Sequence, residues 1–179
     1  LLPEIPKYST LERPMKEVLR EGYVDIVTAR LLAKIRHRIY RRTHKINGED
    51  ASIFQYVANC TTPLLPKIND TEYDLAISFL MPHNICLKKV KAKKRIAWIH
   101  TDYSIVNVNE KLEHSIWSQY DYISSISTDT TKTFLSTFTG LESKIIEIEN
   151  ILSPSFVRAR SNIGQCIEIQ NTSSTSPIT

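Results

Sequence analysis

Glycine is scarce, with 4 residues in 179, and those at 22, 48, 140 and 164 stand far apart. A Gly-rich phosphate loop therefore cannot form, and neither the P-loop nor the G-x-G-x-x-G spacing occurs. Cysteine is also sparse: the 3 thiols, Cys60, Cys86 and Cys166, are distant from one another and make no CxxC pair. That argues against a disulfide framework or a thiolate zinc site and points to reduced thiols in a cytosolic compartment. No apolar run approaches the roughly 20 residues that a spanning helix needs. The opening LLPEIPKYSTLERP, with Pro and acids before any apolar block, does not read as a signal peptide. No Ser-centred G-x-S-x-G is present, and no His or acid set has metal-ligand spacing, so no metal is expected.

What is present is an ordinary globular composition, 41% hydrophobic and 23% charged, with a net charge of +4. Such a balance weakly favours anionic partners without separating phosphate, nucleic acid and membrane surface. Residues 15–44 read as helical. Between Thr28 and Arg42, Leu31, Leu32, Ile35 and Ile39 share one face, and Arg30, Lys34, Arg38 and Arg41 form an adjacent basic stripe. That face suits either packing on a sheet or an anionic membrane surface. Asn47-Gly48 marks a break, and Ala51 to Asn59 is a further short helix.

From Tyr73 onward, apolar runs of strand length alternate with short helical stretches. Strands are expected at Tyr73–Leu80, Lys94–His100, Asp121–Ser127 and Lys144–Glu149, with helices at 84–91, 107–119 and 128–138. Asn84, and Thr128 or Asp129, are candidate N-caps, and Gly140 is a suitable stop. Helix returns over 150–160. The alternation predicts an α/β fold: a Rossmann-like, mostly parallel sheet with helices on both sides and strands buried on both faces. Residues 1–160 are expected to form the domain. The remaining 19 residues include seven Ser or Thr and show no period, so 161–179 reads as a polar tail, disordered or a truncated linker.

Ligands of an open parallel sheet bind beyond the carboxyl ends of its strands. That rule selects Pro82-His83-Asn84, His100-Thr101-Asp102-Tyr103, Ser127-Thr128-Asp129 and Asn150. His100 is the leading candidate, since a cleft-facing imidazole can donate to a phosphate or sugar hydroxyl or accept a proton near neutral pH. His83 and Ser127 are weaker candidates, with turn and cap roles competing. His37, His44 and His114 read as surface residues of helices. The cluster Lys88, Lys89, Lys91, Lys93, Lys94 and Arg95 reads as a solvated helix C-terminus leading into a strand. Aromatic interleaving is too poor for base stacking, so nucleic acid is an unlikely partner, although a basic nucleic-acid or membrane binding module stands as the alternative reading.

The segments YDLAISFL, RIAWIHTDYS, YDYISSIS and KIIEIENILSPSFV, in that order, resemble the N-terminal domain of family-four-type glycosyltransferases of the GT-B fold, over about residues 1–160. Trp98 to Asp102 and Ile148 to Ile151 carry most of the likeness. The closest parallels are bacterial enzymes of surface polysaccharide synthesis. The resemblance implies one half of a two-domain retaining enzyme; the basic stripe on residues 28–42 adds the expectation of a cytoplasmic protein that can associate with the inner membrane face. The N-terminal half would take a carbohydrate or lipid-linked acceptor, and a C-terminal half would hold the nucleotide-sugar donor. His100 matches the histidine that reaches the donor sugar or its diphosphate, which makes it the expected catalytic residue. Asp102 and Tyr103 would line the acceptor side, with His83 and Ser127 as further substrate-binding candidates, and Asn150 matches the start of the interdomain linker. The family's first strand and Gly-rich loop, expected before residue 1, and its C-terminal donor domain are not among the 179 residues. The chain is thus expected to contain no cofactor site and to be inactive by itself.

Overall fold

The computed structural model describes residues 5–46, 50–149 and 158. The chain divides into two compact units, Leu1–Glu149 and Asn150–Thr179. The break at Asn47-Gly48, the helix over 150–160, the linker start at Asn150 and the polar tail lie outside the described residues, Arg158 excepted.

The first unit opens with helices α1 (Pro6–Ser9), α2 (Met15–Arg20), α3 (Val24–Thr43) and α4 (Ser52–Thr61). Next come β1 (Glu72–Ser78), α5 (Asn84–Lys89), β2 (Lys91–Trp98), α6 (Glu110–Trp117), β3 (Tyr122–Ser125), α7 (Thr128–Thr137) and β4 (Ile145–Glu147). The four strands form one sheet in the order β1-β2-β3-β4, and every pair is parallel. This is the α/β, Rossmann-like arrangement expected from the alternation, a parallel sheet flanked by helices.

Two apolar clusters hold the unit together. Ala76, Ala97 and Ile123 project from one face of the sheet onto Ile116, Trp117, Phe134 and Phe138 of the crossover segments. Ring pairs such as Trp117–Phe134, with centroids 5.0 Å apart at 80°, fill this layer edge to face. The second cluster joins Tyr8, Val18, Ile26 and Val27 of α1–α3 to Leu65 and Ile85. Caps set the helix starts. Asn109 accepts from the Leu112 amide at 3.0 Å and starts α6. Ser127, rather than Thr128 or Asp129, caps α7 by accepting from the Thr130 amide at 3.2 Å. Asn84 lies within α5, and its side chain is buried in hydrogen bonds with Gln55 and Asn59.

Two expectations are corrected. The strand placed at Lys94 begins at Lys91, because the lysine run is paired across the sheet: Lys93 Nζ lies 2.7 Å from Asp74 and Lys94 Nζ 2.8 Å from Asp121, while Lys91 stands in register with Glu72. The strands are also not buried throughout. β1 is an edge strand, and its alternate residues Leu75 and Ile77, with Phe79 just past its end, are 46%, 51% and 52% exposed.

Candidate functional site

The candidate site lies at the sheet's carboxyl edge. His100 follows β2 by two residues, and its ring is held by aromatic neighbours. Phe79, just past β1, lies 4.2 Å from it between centroids, and Trp98 lies nearly parallel to it at 6.2 Å and 13°. The pairing of Ser78 with Ala97 makes this unavoidable: it sets Phe79 beside Trp98, and the pleat then brings His100 to the same face. The imidazole is exposed, as a group that meets a ligand must be.

Below it lies a hollow of about 230 Å³, lined by His100, Thr101, Asp102, Ile126, Asp129, Thr130 and Thr133. Asp102 is fixed by a local turn, accepting from the Ser104 amide at 2.9 Å and the Ser104 hydroxyl at 2.6 Å. Those two bonds hold its carboxyl below the usual carboxylate range. Asp129 occupies the first turn of α7, with its side chain 94% exposed and 3.4 Å from Lys132 Nζ. Because Ser127 takes the cap, Asp129 is left facing the hollow. The same helix start is tied to β4 by Thr128 and Thr131, which donate to Glu147 at 3.2 and 3.0 Å.

The lining thus offers one imidazole, two carboxylates and threonine hydroxyls, with the imidazole itself held against Phe79 and Trp98. None of the described lining residues is Lys or Arg. Such a surface repels a free diphosphate and suits a neutral ligand rich in hydroxyl groups. Carboxylates accept from hydroxyls, and ring faces pack on apolar C–H patches.

Of the sequence-predicted site residues, His100 and Asp102 come together here, and the other three lie elsewhere. His83 is 3% exposed. Its ring packs on Trp117 at 4.5 Å, its Nδ1 lies 2.8 Å from Ser78 Oγ, and its carbonyl accepts from the Tyr120 hydroxyl at 2.6 Å. Burial, reinforced by repulsion from His100, pushes its pKa down to about 4, so it is neutral at physiological pH. Tyr103 turns inward, and its hydroxyl donates to the buried Glu113 carboxyl at 3.0 Å. Burial raises both pKa values. The Ser127 hydroxyl is engaged as the α7 cap, bonded to Thr130.

The basic stripe also divides. Lys34 and Arg38 are exposed. Arg30 turns inward, and its guanidinium donates to the Thr10 and Arg13 carbonyls at 3.1 and 2.8 Å, so it leaves the stripe. Arg41 is half-buried, reaching the Ile46 carbonyl at 3.4 Å and Asp50 at 4.0 Å. His37 is not the surface residue expected: it lies 2.9 Å from Asp50, whose side chain is 1% exposed.

Sequence reasoning passed over Phe79, Thr130 and Thr133, and weighed Asp129 as a cap. Two of the four loops selected by the strand-end rule line this hollow. Choosing among their residues required the actual cap assignment and the β1–β2 register. Among the described residues no group of three His, Cys, Asp or Glu side chains could hold a metal ion, and no helix is long and apolar enough to cross a membrane. No protein-family model, curated protein or solved structure matches the chain.

Proposed function

We propose that this chain is the acceptor-side half of a sugar-nucleotide-dependent, retaining glycosyltransferase, moving a hexosyl unit to a carbohydrate or lipid-linked hydroxyl. The observation that carries this reading is the hollow at the sheet's carboxyl edge. His100, Asp102, Asp129 and Thr130 line it, and the His100 ring packs against Phe79 and stacks on Trp98. Its carboxylates, with no lysine or arginine among the described lining residues, favour a hydroxyl-bearing acceptor over a nucleotide diphosphate, in keeping with a donor held by a separate domain. The resemblance of the WIHTD segment to glycosyltransferases supports the same assignment.

In this reading Asp102 and Asp129 orient the acceptor by accepting from its hydroxyls. His100 is the catalytic residue, donating a hydrogen bond toward the transferring sugar or its departing diphosphate. Catalysis by orientation needs both reactants held at near-attack distance, which half a cleft cannot supply. An imidazole facing open water also has its charge interactions screened. Calorimetric titration with a panel of nucleotide sugars tests the division of labour. The chain by itself is expected to give no saturable isotherm and no product. A micromolar isotherm, with product formed on adding acceptor, would place the donor site in this chain and overturn the reading.

A further inference from the structure

Helix α3 has two apolar sides, and among the described residues only one of them is buried. Ile26, Ala29 and Ala33 are buried, facing the rest of the unit. Leu31, Leu32, Ile35 and Ile39 lie about 140° round the helix from them, at 100° per residue. These four are 45%, 44%, 58% and 57% exposed. One flank of this outer stripe carries Lys34 and Arg38, and Arg42 in the last turn and Lys45 just beyond the helix extend it, all four exposed. No Asp or Glu occurs between Ile26 and Ile46, a stretch holding seven Lys and Arg. Its acidic neighbour Asp50 is already engaged by His37.

An apolar stripe in contact with water is unfavourable in proportion to its area, and cations along its edge exclude a second basic surface of the same kind. An anionic lipid surface satisfies both features at once. Acyl chains and glycerol take the leucines and isoleucines, and headgroup phosphates take the flanking cations. The row on β1 differs, because the lysines beside it, Lys91, Lys93 and Lys94, are already paired with Glu72, Asp74 and Asp121. We infer that the outer face of α3 docks flat on an anionic bilayer. The helix would lie in the interfacial plane with Leu31, Ile35 and Ile39 inserted and Lys34, Arg38, Arg42 and Lys45 at the headgroups. This inference stands apart from the glycosyltransferase reading, since it uses none of the cleft residues.

Co-sedimentation with vesicles of phosphatidylcholine, and of phosphatidylcholine containing phosphatidylglycerol, tests it. The chain is expected to pellet with the anionic vesicles, to remain in solution with the neutral ones, and to be released as salt rises. Lys34→Glu with Arg38→Glu, and separately Ile35→Asp with Ile39→Asp, should each weaken retention at least tenfold. Because these side chains point away from the core, circular dichroism and melting should stay close to wild type. Ile77→Asp, on the exposed row of β1, should leave retention unchanged. Equal retention on both vesicles, retention on neither, retention that follows Ile77 instead of α3, or α3-dependent self-association without vesicle binding would each overturn the proposal.

Discussion

His83 shows how position in the fold decides what a side chain can do. Following a strand and preceding a helix, it has the sequence position of a ligand-binding histidine, yet Trp117 and Tyr120 enclose it. Unfolded, the imidazole titrates near 6.5, whereas folded it does so near 4. The unfolded chain therefore takes up the proton first. The stability that the neutral ring preserves is complete above pH 6.5 and is lost as pH falls toward 4. The size is about 3 kcal/mol, from the fall from 6.5 to about 4. Glu113 acts in the opposite sense, since its raised pKa favours the protonated folded form and costs stability as pH rises. Comparing denaturant unfolding of wild type with His83→Gln isolates the histidine. The stability gap between them should narrow by about 2–3 kcal/mol on going from pH 7 to pH 4.5. Parallel pH profiles would contradict this. His100 is the reverse case, exposed, tilted against Phe79 and stacked on Trp98. In an enzyme that also carries the donor domain, His100→Ala should cost about 2.7–4 kcal/mol of transition-state stabilisation, read as kcat, with little change in melting.

Among the elements, the boundaries that chemistry encodes locally were legible and those set by neighbours were not. The β-α alternation from Tyr73 onward could be read because apolar runs, polar turns and cap residues all lie within a few positions of one another. The start of β2 could not. A run of lysines signals no strand until Glu72, Asp74 and Asp121, distant in sequence, are placed beside it. These pairs are exposed, and each contributes about 0–1 kcal/mol at most. They set register more than stability. The candidate site follows the same rule. Its loops were predictable from strand ends, whereas the inward turn of Tyr103 and the freeing of Asp129 depend on α6 packing and on Ser127 taking the cap. Asn109 is a cap whose removal should be felt, because it also donates to the Tyr56 hydroxyl at 2.9 Å. Asn109→Ala should destabilise the unit by about 1–2 kcal/mol, measured by thermal or denaturant unfolding. A loss under a few tenths would mean that another group takes over the cap.

For the unit as a whole, the open row on β1 has consequences. All-parallel sheets are almost always covered on both faces, and edge strands with exposed apolar residues are pairing sites for other chains. Leu75, Ile77 and Phe79, with Tyr73 at 38% and Leu80 at 65% exposure, form a contiguous apolar surface on and just beyond this edge. The native chain should bind the dye ANS and associate at high concentration, and Ile77→Lys should reduce both without loss of helical signal. The cleft lies at one end of this sheet, where the strand ends bring His100, Asp102 and Asp129 to a common hollow.

The central claim is that this hollow receives a neutral, hydroxyl-rich acceptor. Backbone amide chemical-shift mapping of the chain, titrated with a panel of neutral oligosaccharides, tests it most directly. The account predicts saturable shifts centred on Thr101, Asp102, Thr130 and Thr133 that disappear in His100→Ala. Shifts that map elsewhere, that persist in the variant, or that fail to appear across the panel would contradict it.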